Sequence, residues 1–557
     1  MFATFRLGMT WLHTWFGLVL GFVLMVVFFF GALSVFDREI DRWSVPASRF
    51  EPQPLPSFDR LLAPVFERIV PDAPDLAAAR DRVTGPLPAT LPVMDYSVYT
   101  THRDPVLQLY TSFGLPNARD PGDHIHGHVT LDPRTGAELP AQARKLGSEF
   151  FYPLHYGLHL EWKELGYWIV GLAALGMLAA LVSGVMIHRR LFRELFTFRP
   201  RASTQRSVLD LHNLTGVVAL PFHFFFALTG LVIFAGIYFP AGTTVLRPLH
   251  DADERREAAL TGLPLEPSGI AAPLAPVDAM VADAQRRWQA RGMAGEVGFL
   301  FVNHVGDAAA TVSVYRAGTD RVTLTGEGIH YRGSTGELLR EDPPQGVVGG
   351  INDFLTGLHL QHFRHWPLRW LYFLGGLAGC ACIATGFLFF ARKRRERHAA
   401  QGAGGLRLVE ALSVATVAGM GVATAALLVA NRLLPQTLAD RATVEESVFW
   451  LTWLATLGHA SWRASPRQPL RPWIEQCAAL AVLTLLAVAL NAVTTGDALW
   501  RTLAAGDWAV GGVDLALLGF ALVAALVARR LRRLERDRRA SVAGALPKGF
   551  AGDAGRA

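Results

Sequence analysis

Eight apolar runs, at about 14–36, 165–187, 214–238, 370–390, 408–430, 446–461, 474–493 and 510–528, constrain this chain more than any other feature. A helix needs about 20 residues to cross about 30 Å of hydrocarbon, and all but the weak sixth run supply them. Hydrocarbon offers no water to backbone N–H and C=O groups, so such a run has to be helical. The first run is longer than a signal-peptide core, and Ala32-Leu33-Ser34 makes a poor cleavage site, so it reads as an anchor. With 51% hydrophobic and 18% charged residues, the 557-residue chain is too apolar for an ordinary soluble protein and too charged to lie wholly in a membrane. The expectation is a polytopic α-helical membrane protein of about eight spans, with large polar segments between some of them.

Arginines set the expected orientation. The connections 188–207 and 391–407, the stretch 463–471 and the tail after Arg529 are strongly basic, and basic loops stay on the cytoplasmic side. Both termini are then cytoplasmic, and the segments 37–160 and 240–360 lie on the far side. The net charge of +6 sits in these membrane-flanking loops and calls for no nucleic acid. Cys380, Cys382 and Cys477 all fall in apolar runs, so no disulfide ties the outer segments together.

Each outer segment reads as a small α+β module. The first has a helical candidate from Phe58 to Val70 and strand-like runs at 96–101, 106–110 and up to Leu131. The second has a helix from Pro276 to Gln289 and strands at 298–302, 310–315 and 321–325. The halves repeat. Thr135-Gly136 recurs as Thr335-Gly336 and Gly157-Leu158-His159-Leu160 as Gly357-Leu358-His359-Leu360. Leu12-His13 with Gly17 recurs as Leu211-His212 with Gly216. The unit is span, module, span, and two copies entering from one side imply parallel repeats about a pseudo-two-fold axis along the membrane normal. The organisation is a first span in 1–36, module 1 in 37–160, two spans and a basic loop in 161–239, module 2 in 240–360 and a fourth span in 361–395. A four-helix membrane domain follows in 396–530, then a basic tail, 531–557, expected to be disordered beyond Arg539. The two modules are expected side by side, with His124, His126 and His128, which share a strand face, on the facing surfaces as a docking site.

Histidines carry the chemistry. An ionisable ring in a hydrocarbon span is costly without a partner, and haem iron is one such partner. The alternative for any one of them is a packing role, with the ring bonded to a neighbouring carbonyl. The repeat pairs His13 with His212 near the cytoplasmic boundary and His159 with His359 near the outer one, as six-coordinate haem ligation requires. A glycine four residues on, Gly17 or Gly216, would clear space for the porphyrin. His223 lies eleven residues beyond His212, which on a helix is about 20° away in azimuth and roughly 16 Å in height. Its counterpart in the first copy is Leu24. Straight helices would separate the two haem levels by roughly 40 Å. Either the segments around Pro153 and Pro367 fold back toward the membrane, or His223 holds a haem at intermediate depth. His155, His362 and His188 are further alternatives.

These motifs, with the basic inner loops and the paired modules, resemble the PepSY-associated transmembrane proteins over about residues 1–395. The resemblance implies a reductase in the bacterial inner membrane that carries two b-type haems and reduces ferric siderophores in the periplasm, with His13, His212, His159 and His359 as haem ligands. The chain shows no Gly-x-Gly-x-x-Gly after a strand, so electrons would come from the quinol pool or a separate cytoplasmic reductase. The competing expectation is a non-redox transporter or sensor whose modules bind a peptide or a protease.

Overall fold

A computed structural model describes residues 2–51, 53–100, 104–119, 123–139, 145–187, 199, 204–239, 245, 252, 255–256, 258, 262–293, 295–323, 327–343, 346–397, 404–463 and 468–544. The chain forms two compact units, one of Met1–Ser44, Gln142–Ala227 and Tyr372–Ala557, the other of Val45–Ala141 and Leu228–Leu371.

The first unit is helical. Among the described residues five helices are long and apolar enough to span a membrane: Trp162–Ile187, Trp366–Arg394, Gly405–Leu433, Arg471–Thr495 and Trp508–Ala540. Two further candidates are bent helix pairs that are apolar enough only when taken together, Thr4–Val19 with Gly21–Ser34 at 59° and Gln205–Val218 with Leu220–Ile233 at 60°. The breaks fall at Leu20 and Ala219, each seven residues past a histidine of the repeat. The sequence gives no proline at the first break, whereas Pro221 follows the second. The run at 446–461 belongs to the helix Arg441–Arg463, which is not among these candidates. Its first turns carry Arg441, Glu445 and Glu446, and Arg441 pairs with Glu445 at 3.1 Å in full burial. The tail expected to be disordered beyond Arg539 continues as helix to Gly544.

A π-helical turn, Leu146–Phe151, runs into the short helix Tyr152–Tyr156 and folds back against the first span. Leu146, Phe150, Phe151 and Leu154 are buried in one core with Met25, Val26 and Phe30. Met420, Ala423, Leu427, Phe449 and Leu517 join the same core, so the C-terminal helices are built into this unit. Polar groups extend the join: Trp43 Nε1 donates to Asp514 at 2.8 Å, Asn491 donates to Asp514 at 3.2 Å, and the Arg432 guanidinium lies 4.8 Å over the Trp43 ring.

The second unit is one seven-stranded antiparallel sheet in the order β3-β2-β1-β4-β5-β6-β7. Its strands are β1 Val93–Tyr99, β2 Leu107–Gly114, β3 His124–Leu131, β4 Val297–Asn303, β5 Thr311–Arg316, β6 Gly328–Arg332 and β7 Leu338–Glu341. Both outer segments contribute, and they join where β1 pairs with β4, Val98 opposite Leu300. The expected strand at 321–325 does not form over its described residues 321–323, and β6 starts later, at Gly328. Two helices, Phe58–Phe66 and Val277–Ala290, cover one face and bury Val98, Leu109, Leu300, Val314 and Ile329 beneath them. Each caps the other. Asp278 accepts from the Phe58 N–H at 2.7 Å, and Asp59 accepts from the Val277 and Asp278 N–H groups at 2.8 and 3.1 Å. The repeated turns are built alike. Gly136 and Gly336 have φ of 71° and 77°, and their N–H groups donate to Asp132 and Arg332 carbonyls, both at 2.8 Å. Glycine reaches that left-handed conformation without strain.

Candidate functional site

His13 and His212, distant in sequence and paired by the repeat, meet in space. His13 rides on the helix Phe2–Val19 and His212 on Thr204–Val218, with ring centres 6.2 Å apart and planes at 83°. One device holds both rings. His13 Nδ1 lies 2.9 Å from the Ala180 carbonyl and His212 Nδ1 lies 2.8 Å from the Cys382 carbonyl. A carbonyl can only accept, so in each ring Nδ1 carries the proton, which in the neutral imidazole leaves the lone pair on Nε2. The Ser183 and Thr385 hydroxyls stand 3.4 and 3.5 Å from the same nitrogens. One turn beyond each carbonyl is a glycine. A Cβ would lie 3.1 Å from the His13 ring at Gly184 and 3.5 Å from the His212 ring at Gly386, so each ring rests against bare backbone.

Sequence reading missed this second layer, although a signal was present. Ala180-Leu-Val-Ser183-Gly184 and Cys382-Ile-Ala-Thr385-Gly386 share a hydroxyl followed by glycine at the same point of the second and fourth spans. The clearance expected at Gly17 and Gly216 divides. An added Cβ at Gly17 meets nothing within 4 Å, whereas one at Gly216 meets Cys382 Sγ at 3.4 Å.

Each outer histidine has a partner within its own unit. His159 belongs to the helical unit and His359 to the other. His159 Nε2 lies 2.9 Å from the Phe150 carbonyl and its ring stacks on Phe150 at 4.9 Å, so there Nε2 carries the proton. Leu158 and His159 both have positive φ, 53° and 52°, an uncommon conformation outside glycine. The ring of His359 is tied to Thr229, with Nδ1 2.7 Å from the hydroxyl.

Two alternatives reach one turn of the helix Gly21–Ser34. His155 Nδ1 lies 2.8 Å from the Val27 carbonyl, so Nδ1 donates there as well. His223 is 2% exposed, hydrogen-bonded to the Gly375 backbone and edge-on to Phe28 at 5.4 Å. Its Nε2 is buried and has no hydrogen-bond partner among the described residues. The fold-back of 146–156 brings His155 to this depth, so the separation of roughly 40 Å that straight helices impose does not apply. Fourteen residues separate His13 from Val27, at most about 21 Å of helix. His362 lies between the helices Val347–Leu360 and Trp366–Arg397. His188 lies outside the described residues.

His124, His126 and His128 do alternate along β3, with the first two exposed and their rings 5.0 Å apart. They do not face the second module. β3 is an edge strand, and the modules join through β1 and β4 because these pair in register. The His126 and His128 N–H groups donate to Asp75 and Asp72 at 3.0 and 3.3 Å, which caps that edge against further strand pairing. No group of three metal-binding side chains occurs among the described residues.

The sequence profile of the PepSY-associated TM region matches residues 10–393. The Uncharacterized protein PA4219 of Pseudomonas aeruginosa is 30% identical over 287 residues, covering 48% of this chain and 69% of that protein. The match takes in both bent spans, both carbonyl-held histidines and all seven strands, and this chain belongs to the family with a PepSY-associated TM region.

Proposed function

We propose that this protein is a haem-bearing reductase of the bacterial inner membrane that delivers electrons to ferric chelates on the periplasmic side. The observation that carries the reading is the His13–His212 pair. Two imidazoles holding one metal through Nε2 would have ring centres about 6.4 Å apart, from two bonds of about 2 Å and about 1.2 Å within each ring. The ring centres of His13 and His212 are 6.2 Å apart. Both rings have Nδ1–H committed to a carbonyl, the outer-shell arrangement that fixes the tautomer and orientation of a ligating histidine. The spacing and the committed Nδ1 atoms support the reading that His13 and His212 would hold a haem. Bound there, haem supplies one-electron transfer with no open position at the iron for oxygen chemistry.

For a second haem the reading shifts from His159 and His359 to His223 and His155. His223 offers a buried Nε2 without a partner, whereas the Nε2 of His159 is already committed to Phe150. A buried polar atom left unsatisfied costs free energy, so a ligand for it is the simplest account. The matched turns, matched helix breaks and matched carbonyl clasps support an internal duplication with a parallel two-fold relation. Quinol or a separate cytoplasmic reductase is the proposed donor, and a ferric siderophore or similar chelate is the proposed acceptor.

An absorption spectrum of the purified protein tests the reading at once, since a haem-free transporter or sensor shows no Soret band. His13→Ala and His212→Ala should each remove about one haem equivalent and spare the other, because a six-coordinate site loses most of its hold with one axial bond. Full haem content and an unshifted low-spin spectrum in both variants would overturn the assignment.

A further inference from the structure

The helix Val347–Leu360 has two unlike faces. At about 100° per residue, Val347, Ile351, Phe354 and Leu358 fall on one stripe with Val348 and Leu355 beside it, while Asp353 and Thr356 point the other way. The apolar stripe is turned outward. Val347 and Val348 are 82% and 83% exposed, and Ile351 and Phe354 are 57% and 45% exposed. Apolar side chains scattered singly on a surface are ordinary, whereas a contiguous stripe on one helix marks a contact surface. The repeat shows what such a stripe meets in its other copy. At the offset of 200 that aligns Gly157-Leu158-His159-Leu160 with residues 357–360, Phe151 and Leu154 stand where Ile351 and Phe354 stand. Phe151 and Leu154 are buried, in a core that Met420, Leu427 and Phe449 of the C-terminal helices help to form. The second copy has a stripe as apolar as the first, and it lies open.

Position identifies the occupant. His359, in the last turn, has Nδ1 2.7 Å from the Thr229 hydroxyl, and a Cβ at Gly230 would lie 3.3 Å from its ring. The C-terminal end of the helix therefore rests on the third apolar helix, Leu220–Ile233. Gln361, left-handed at φ 57°, stops the helix by donating its N–H to the Gly357 carbonyl at 3.0 Å, and the fourth apolar helix then begins at Trp366. Trp366 and Trp370 are exposed at that start, and the Arg369 guanidinium lies 4.9 Å over the Trp366 ring. Tryptophan and arginine gather where an apolar helix leaves the hydrocarbon, so Val347–Leu360 is fixed at the level of the membrane boundary. It carries no Lys or Arg, and Asp353 is its one carboxylate. The apolar phase continuous with both helices that flank it is the bilayer, and one apolar and one polar face describe a helix lying in the membrane interface.

We propose that Val347–Leu360 is an interfacial helix whose Val347, Ile351 and Phe354 stripe enters the lipid leaflet at this end of the third and fourth apolar helices, and so holds the sheet-bearing unit on the membrane surface. The test uses the full-length protein in phosphatidylcholine nanodiscs that contain a phosphatidylcholine with a photoactivatable acyl chain. After illumination, labelled peptides are read by mass spectrometry. Residues 347–358 should take up label, as the helix Trp366–Arg397 does, whereas the helix Val277–Ala290, which covers the sheet, should take up little. Ile351→Asp/Phe354→Asp should cut the label on 347–358 at least about fivefold, because a charged stripe no longer enters hydrocarbon. Unchanged label on Trp366–Arg397 in that variant shows that it is still folded and inserted. An unlabelled stripe beside a labelled Trp366–Arg397 in the wild type would overturn the proposal, whether water or a second copy of the chain covers it. Labelling that the double variant leaves unchanged would overturn it too.

Discussion

At the scale of single residues, the candidate haem site depends as much on what is missing as on its histidines. Gly184 and Gly386 let the His13 and His212 rings lie against the second and fourth apolar helices; a Cβ at Gly184 would crowd the His13 ring at 3.1 Å, whereas one at Gly386 would just touch the His212 ring at 3.5 Å. Gly17 is different, because open space lies beside it. Leucine at that position replaces one of the poorest helix formers with one of the best and strikes no protein atom at its Cβ. Gly17→Leu should therefore leave the thermal stability of the haem-free protein unchanged or slightly raised. If the open space is porphyrin volume, the same substitution lowers haem content by about one equivalent, read as Soret absorbance per protein. A variant with full haem content would remove Gly17 from the site.

At the scale of elements, the segment 146–156 is held at its start by Asp41, on the helix Asp37–Ser44. Asp41 Oδ1 accepts from the Gly147 and Ser148 N–H groups at 2.8 and 3.0 Å, and Gly147 is packed so tightly on the Asp37 carbonyl that no Cβ fits. Burial pushes the Asp41 carboxyl up to about 7, against the lowering effect of Arg38. Lys145 and Glu149 lie on the facing turn, Arg432 on Met420–Leu433, and Asp507 and Asp514 at the helix Trp508–Gly544. A carboxyl raised in the folded state contributes most stability below its unfolded value of 3.8, and loses it as pH rises through about 7. Thermal melts should thus show wild type more stable at pH 5.5 than at pH 8. Asp41→Asn keeps an oxygen for both N–H groups and has no proton to lose, so its melting temperature should change less between those pH values. An identical pH difference in the variant would show that another group sets it.

At the scale of the whole molecule, the basic residues that follow the apolar helices imply an orientation that can be checked directly. Arg392, Lys393, Arg394 and Arg397 close the helix Trp366–Arg397, whereas Asp132 sits in the turn after β3. Reporter fusions after Asp132 and after Arg397 should give opposite answers, periplasmic and cytoplasmic. The same answer from both would remove the positive-inside arrangement and, with it, the two-sided electron path. The C-terminal helices share a core and a buried polar network with Asp37–Ser44, so cutting the chain between the fourth and fifth spans should expose Met25, Phe30 and Phe150 rather than free an independent domain.

The sequence by itself determined most of the membrane-span candidates, the class and the nearness of His13 to His212, because hydrophobic length and a fixed offset are local or additive signals. Helix candidates at 58–70 and 276–289 and the two Thr-Gly turns were legible for the same reason. Tertiary structure alone decided the rest. Whether a histidine meets its repeat mate depends on helix bends and on the fold-back of 146–156, which no periodicity in the chain encodes. The joining of two modules into one sheet likewise follows from the β1–β4 pairing, a contact between segments about 200 residues apart, and that pairing carried the β3 histidines to an edge. Carbonyl partners such as Ala180 and Cys382 were invisible in advance, since any residue type presents the same backbone oxygen and only packing selects which one a ring will reach.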